Sequence, residues 1–397
     1  LINCIKNEII KLIHNKKLYI FLLALVLLIV FKLIYMYSSS FGKTPSEQLK
    51  KKESVLIELK AEAKSESLSK EKKKDIDIQM KRLDEEIKML KDNIANPDEN
   101  WKNTMKNKIE NLENEKGELS ENLDSVEIEK CNAELQYYNY LLDNDIEPNK
   151  EYKIYAFEDI TGIFDFINKM ILPILIAFLC SDIIASEYTF STIKALLTKP
   201  VSRRKIFCSK FLSNICIVTI TICLMEFITF IIISLIFNFG NPSYPIIVGT
   251  KYVKASNNNL YINNISAVIG SSYIISAWKL ILLNLFMQFI FIITCVSFVM
   301  FISTIFTNSI TSLTINLGIL MLISLITYIL PLKFLNKLYP ILFTTYSCGT
   351  DIIKGNLVMS LNSTIFSIPL GIVIMLIWSI VCYFISSKIF NKRDVLI

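Results

Sequence analysis

Residues Leu280 to Leu332 hold no charged side chain, and neither do Leu357 to Ser387. The first run alone is 53 residues long. A helix that crosses a bilayer needs about 20 apolar residues, with every backbone N–H and C=O satisfied inside the segment. The two runs therefore commit the chain to an all-α membrane protein with several transmembrane helices. The chain is 52% hydrophobic over 397 residues, and its apolar residues are concentrated where a bilayer would need them.

Dividing the chain at polar interruptions predicts six spans: Leu18 to Tyr37, Thr161 to Ser181, Phe211 to Phe237, 278–303, 310–330 and Leu361 to Ser387. The segment 304–311 (TIFTNSIT) is the polar waist that splits the long uncharged run. Lys32 lies near one end of the first span, where a lysine can snorkel. Tyr35, Tyr37, Trp278 and Lys279 read as interfacial anchors. Residues 1–17 place Ile2, Ile5, Ile9, Leu12 and Ile13 on one helical face. They fit either a helix lying in the interface or the basic flank of the first span. No small-residue cleavage site follows the first apolar run, so it reads as a retained span and not a signal peptide.

Residues 38–160 form a hydrophilic insertion. Residues 41–150 hold 20 basic and 26 acidic side chains, against 22 basic and 10 acidic elsewhere. The overall charge of +6 is thus the sum of an acidic insertion and a basic membrane part, not a nucleic-acid signal. Apolar residues recur at helical spacing from Val55 to Ile94, and at heptad spacing from Met105 to Tyr140. Asn96-Pro97-Asp98 separates the two patterns. The simplest reading is an antiparallel coiled-coil hairpin, with arms of about 45 residues reaching roughly 65–70 Å. An ordinary helical domain folded against the membrane is the alternative. Gly42-Lys43-Thr44 is not a phosphate loop, because the glycine that motif requires falls at Tyr37.

Positive charge sets the orientation. With the insertion excluded, the N-terminal segment, residues 186–210 and the tail from Lys388 carry 13 Lys and Arg, and the opposite loops carry six. The reading is a plasma-membrane protein with both termini and the 182–210 loop cytoplasmic, and residues 38–160 extracellular. Nine cysteines contain no CxxC pair, which argues against a zinc site or disulfide framework. Cys131 and Cys348 would both lie outside, where a disulfide between them is one option. A single histidine, His14, leaves no His-based catalytic or metal site.

The loop from Asp182 to Lys210 has the strongest local pattern. Glu187 stands near the start of a short helix, where an acid complements the helix dipole. Ile193, Leu196 and Leu197 form an apolar ridge, Pro200 ends it, and Ser202 opens a second helix carrying Arg203, Arg204, Lys205 and Lys210. Periodicity alone fits a surface helix joined rigidly to two spans, or simply a positive-inside loop. Within ASEYTFSTIKALLTKPVSRRKIFCSKF, however, Glu187, Ser191-Thr192, Leu196-Leu197, Pro200, Arg203 and Lys210 resemble the hallmark of type-2 ABC exporter permeases. Relatives usually carry glycine where Ser191 stands. The segment LPILIAF and the six-span plan also resemble that family, whereas the insertion is not covered.

The resemblance implies that 182–210 is a coupling helix docking in a cleft of a separate ATPase. It also implies pairing with a second permease copy or paralogue. ATP and magnesium would sit on the partner, so no cofactor and no catalytic or metal-ligating residue is expected on this chain. Glu226, an acid within a span, is a default site candidate. Asn284, Gln288 and Asn316 on neighbouring spans are its potential hydrogen-bond partners or fellow pathway residues. The function implied is the permease subunit of an ATP-driven exporter of a peptide, antibiotic, lipid or other amphipathic substrate, in contact with membrane lipid. The alternative is a non-transporting scaffold or secretion factor whose external arm binds a partner or the cell wall.

Overall fold

The computed structural model describes residues 2–63, 80, 83–84, 87–88, 91, 101–118, 125–150, 152–189, 201–254, 265–331 and 335–393. The architecture is helical, with six helices long and apolar enough to cross a membrane: Lys16–Phe41, Ala156–Thr189, Arg203–Ile236, Ala277–Ile305, Ser309–Tyr328 and Ile368–Lys392. These are the spans expected from composition, with shifted ends.

The helix α1 (Ile2–Ile13) precedes the first span α2 (Lys16–Phe41). It lies along the start of the third span, and Leu12 is buried there. Along α2, Leu18, Phe21, Leu25 and Ile29 are buried at helical spacing, while Ile20, Leu23, Leu27 and Phe31 are exposed. One stripe meets protein and the rest forms a surface suited to lipid. Lys32 sits 5.3 Å from the Tyr35 ring and 5.5 Å from that of Phe166.

The second span is segmented. A π turn over Ile167–Ile171 separates the helical pieces Ala156–Phe166 and Leu172–Cys180. Pro173 explains the segmentation, since it has no N–H to return to the carbonyl one turn back. The third span, Arg203–Ile236, is a single helix of 34 residues. At 1.5 Å per residue it measures about 51 Å, longer than the roughly 30 Å hydrocarbon core, so its basic first turns project beyond the membrane.

The fourth span, Ala277–Ile305, is the most buried of the six and forms the spine of the bundle. It packs along the sixth span through polar contacts: Thr294 Oγ1 donates to the Met375 carbonyl at 3.0 Å, and the Ser297 and Ser379 hydroxyls meet at 3.1 Å. Small and hydroxylated residues suit such helix contacts in lipid. The sixth span begins at Ile368 and not at Leu361. Ser367 accepts from the Leu370 N–H, and Pro369 sits in the first turn. That cap is a start signal within the apolar run.

The segment before it, expected as an external loop, is largely buried from Phe343 to Thr350. It carries the short helices Gly349–Lys354 and Asn356–Leu361. Gly355 joins them at φ +85°, and a Cβ there would strike the Thr250 carbonyl oxygen. Only glycine meets both demands cheaply.

The stretch between the third and fourth spans contains four short strands: β1 (Pro245–Val248), β2 (Tyr252–Lys254), β3 (Ile265–Ala267) and β4 (Tyr273–Ser276). β1 pairs with β4 antiparallel, Pro245 opposite Ser276, and β2 pairs with β3, Tyr252 opposite Ala267. β4 runs directly into the fourth span.

The insertion differs from the long hairpin expected. Its described helices are Pro45–Ala63, Trp101–Glu118 and Ser125–Asp143. Lys102 pairs with Asp145 at 2.6 Å, Lys108 lies 5.3 Å from the Tyr138 ring, and Glu115 acts on Cys131. These pairings show that Trp101–Glu118 and Ser125–Asp143 run antiparallel. The heptad pattern from Met105 to Tyr140, read as one arm, is therefore two legs, the first about 27 Å long by its 18 residues. The Asn96-Pro97-Asp98 break lies outside the described residues. Glu53 pairs with Lys91 at 2.9 Å, which brings the first insertion helix beside Lys91.

The insertion rests on the strands. Glu129 is 2% exposed and accepts from the N–H groups of Gly270 and Ser272 at 2.5 and 2.7 Å. Tyr137 and Tyr244 hydroxyls meet at 2.5 Å, and Tyr244 also accepts from the Asn149 N–H. No disulfide joins Cys131 to Cys348, and all nine cysteines are free. Burial first, and then Glu115, Glu134 and Glu127, push the Cys131 thiol up from its ordinary range. It is accordingly a buried, protonated thiol.

Candidate functional site

The flanks of the 182–210 loop are anchored at the end of the bundle that carries α1 and the end of the sixth span. Ser202 occupies the cap position of the third span, though its side chain makes no capping hydrogen bond, and the basic turn follows it. On the other side, Ala185–Thr189 forms a short helix with Glu187 buried in it. Lys210 is 3% exposed, and its ammonium lies 2.8 Å from Glu187 Oε1 and 3.1 Å from Glu8 Oε2. Lys11 lies 3.4 Å from Glu8 and 3.8 Å from Glu187. Lys17 adds a 2.6 Å pair with Asp182. Two cations and two acids thus join α1, the short helix and the third span.

A second set of contacts ties the loop to the remaining spans. Arg203 donates to the carbonyls of Asn391 and Arg393 at 3.3 and 2.8 Å. Arg393 in turn donates to the Thr304 carbonyl at 2.6 Å and lies 4.7 Å from the Tyr188 ring. Ser303 Oγ accepts from the N–H groups of Ile184 and Ala185 at 3.3 and 3.2 Å. Thr189 Oγ1 donates to the Thr307 carbonyl and accepts from the Ser309 N–H, at 3.0 and 3.1 Å. The flanks of the loop therefore touch α1 and the third, fourth, fifth and sixth spans. Of the expected loop residues, Glu187, Arg203 and Lys210 are placed in these contacts. Ser191, Thr192, Leu196, Leu197 and Pro200 lie outside the described residues.

Within the spans, Gln288 Nε2 donates to Glu226 Oε1 at 2.6 Å and to Asn168 Oδ1 at 3.0 Å. Glu226 and Gln288 are thus direct partners, and Glu226, Gln288 and Asn168 link the third, fourth and second spans. Asn284 and Asn316 do not join them. Asn284 packs against Gly349, where a Cβ would collide with its Oδ1, and Asn316 Nδ2 donates to the Val299 carbonyl at 3.3 Å. Asn168 was missed, although an asparagine within an apolar run was its signal. It sits in the π turn, where the distorted backbone re-aims side chains.

A third polar group lies at the opposite end of the bundle. Asp165 accepts from the hydroxyl of Thr350 and from the Cys348 thiol at 3.3 Å, and Lys169 pairs with Asp351 at 2.8 Å. The ligand atoms of Asp165, Cys348 and Asp351 lie within 4.8 Å of one another, so they could hold a metal ion by spacing. Lys169 already supplies positive charge there, and both carboxylates are engaged in hydrogen bonds or ion pairs. The donor set is thus better described as the structural tie between the second span and the 348–351 segment.

Residues 2–395 match the family model described as ABC-2 family transporter protein. No curated protein matches the chain.

Proposed function

We infer the function from the family: the chain belongs to the ABC-2 family transporter proteins and is a membrane-spanning permease subunit of an ABC transporter. Such a subunit works with an ABC ATPase. We propose that this chain exports an amphipathic substrate, a peptide, an antibiotic or a lipid, with energy from ATP and magnesium bound on separate cytoplasmic ATPase subunits. It pairs with a second permease copy or paralogue. The termini and residues 182–210 face the cytoplasm, in keeping with the 13 to six excess of basic residues at that end. Residues 38–160 then stand outside the plasma membrane, available to an extracellular partner.

The observation that carries this reading is the anchoring of the loop. Glu187, Lys210, Arg203 and Arg393 connect its two flanks to α1 and to the third, fourth and sixth spans. Force applied to the loop by a closing ATPase would be delivered to several spans at once, because packed elements move as rigid bodies. Glu187, Ser191, Thr192, Leu196, Leu197, Pro200, Arg203 and Lys210 are the coupling residues in this proposal.

The test is co-expression and co-purification with the product of any ABC ATPase gene found adjacent to its own, followed by ATPase assays in lipid. Arg203→Ala and Glu187→Ala are expected to lower the permease-dependent ATPase rate by about two- to thirtyfold, the span of typical coupling energies. Failure of any ATPase to co-purify, or unchanged rates in both variants, would overturn the permease reading in favour of a membrane scaffold.

A further inference from the structure

A cavity of 430 Å³ opens between the second, third and fourth spans. Its lining includes Phe157, Phe164, Phe227, Phe230 and Leu285, and Glu226 carries its one carboxyl group. Phe227 is 62% exposed on the outer surface of the bundle, so the cavity opens sideways toward the bilayer. Its volume lies in the range of small-molecule sites.

Glu226 is 4% exposed, and only one of its oxygens is satisfied. Oε1 accepts from Gln288 at 2.6 Å, while Oε2 has no hydrogen-bond partner. Among the described residues no lysine or arginine forms an ion pair with it. A carboxylate withdrawn from water is strongly disfavoured without a counter-charge. The surrounding rings favour a cation as well, because aromatic faces attract positive charge. The rings of Phe157 and Phe230, both in the lining, meet edge to face at 5.1 Å.

We propose that this cavity binds a lipophilic monocation, with its positive centre against Glu226 Oε2 and its apolar body among the phenylalanines. Charge complementarity selects against anions, and the single carboxylate selects one positive centre. The Gln288 bond fixes the carboxylate, and Asn168 fixes Gln288 in turn. The proposal rests on reading Glu226 as part of the substrate path, and it narrows the amphipathic substrates to cationic ones.

The full chain in lipid nanodiscs, without ATPase or nucleotide, is titrated with tetraphenylphosphonium and with tetraphenylborate, its anionic counterpart of similar size and shape. Binding to empty nanodiscs is subtracted. Wild type is expected to retain the cation and not the anion. Glu226→Gln is expected to weaken cation binding by at least about thirtyfold. Leu285→Trp, which fills the cavity while keeping the carboxylate, is expected to abolish it. The second variant decides the matter if the first fails to fold, as judged by its melting and gel-filtration profiles. Equal binding of both probes would indicate a lipid-filled groove and overturn the proposal, as would wild-type affinity in either folded variant. Since the assay omits the ATPase, loss of this proposal leaves the ATPase-coupling result standing, and the reverse also holds.

Discussion

Lys210→Ala is expected to destabilise the protein by about 3–5 kcal/mol, the usual cost of removing one member of a buried ion pair. Lys210 is 3% exposed and serves two acids at once, Glu187 at 2.8 Å and Glu8 at 3.1 Å. Their side chains are only 11% and 13% exposed, so both would be left as like charges with little access to water. Lys11 replaces the missing ammonium only in part: it lies 3.4 Å from Glu8 and 3.8 Å from Glu187, but its side chain is 58% exposed. The cost therefore resides in two acids that lose their most buried counter-charge and not in the lysine. Lys210→Met combined with Glu187→Gln and Glu8→Gln removes the ions together, and most of the stability should return. Thermal melting of wild type, the single variant and the triple variant in one detergent checks the order. A Lys210→Ala protein that melts with wild type, or a triple variant no better than the single one, would show that the ions do not hold this end together.

That cluster also shows what the sequence can and cannot disclose. Glu187 and Lys210 stood out because they lie in one short polar loop between two apolar runs. Glu8 did not, since 202 positions separate it from Lys210 and only packing of α1 on the third span brings them together. The six spans were legible because lipid demands long helices with few charges. Their ends were less so. Ser367 and Pro369 mark where the last span begins, yet the uncharged run continues through them without a break in hydropathy.

The insertion misled for a different physical reason. A heptad stripe looks the same on one long helix as on two short legs folded together, because both bury the same face. Lys116 and Lys130 break the stripe, the first of them where the first leg nears its end at Glu118. The short strands escaped notice because each is only three or four residues long. Too few residues were present to display alternation. Their order comes from outside partners such as Glu129, which no local pattern reveals.

Glu129→Ala is accordingly expected to detach the insertion from the strands. Glu129 Oε2 accepts from the Gly270 N–H at 2.5 Å, and Oε1 accepts from the N–H and hydroxyl of Ser272 at 2.7 and 2.5 Å. Ser271 adds a longer contact of 3.4 Å. Bonds to a charged acceptor contribute about 1.5–3 kcal/mol each, and losing several leaves buried donors unsatisfied. A local opening cost lowered by about 3 kcal/mol corresponds to amide exchange roughly 100-fold faster. That acceleration should appear in 265–276 and 125–143, while the third and sixth spans exchange as in wild type. Glu129→Gln should fall between, because its amide keeps one acceptor oxygen but turns an NH2 toward the backbone donors. The consequence reaches the membrane, because β4 continues without a loop into the fourth span, which carries Gln288. A load on the insertion would be passed through Glu129 to that helix. Unchanged exchange across 265–276 in the variant would mean that the insertion is held by its tyrosines instead, and the path through Glu129 would be discarded.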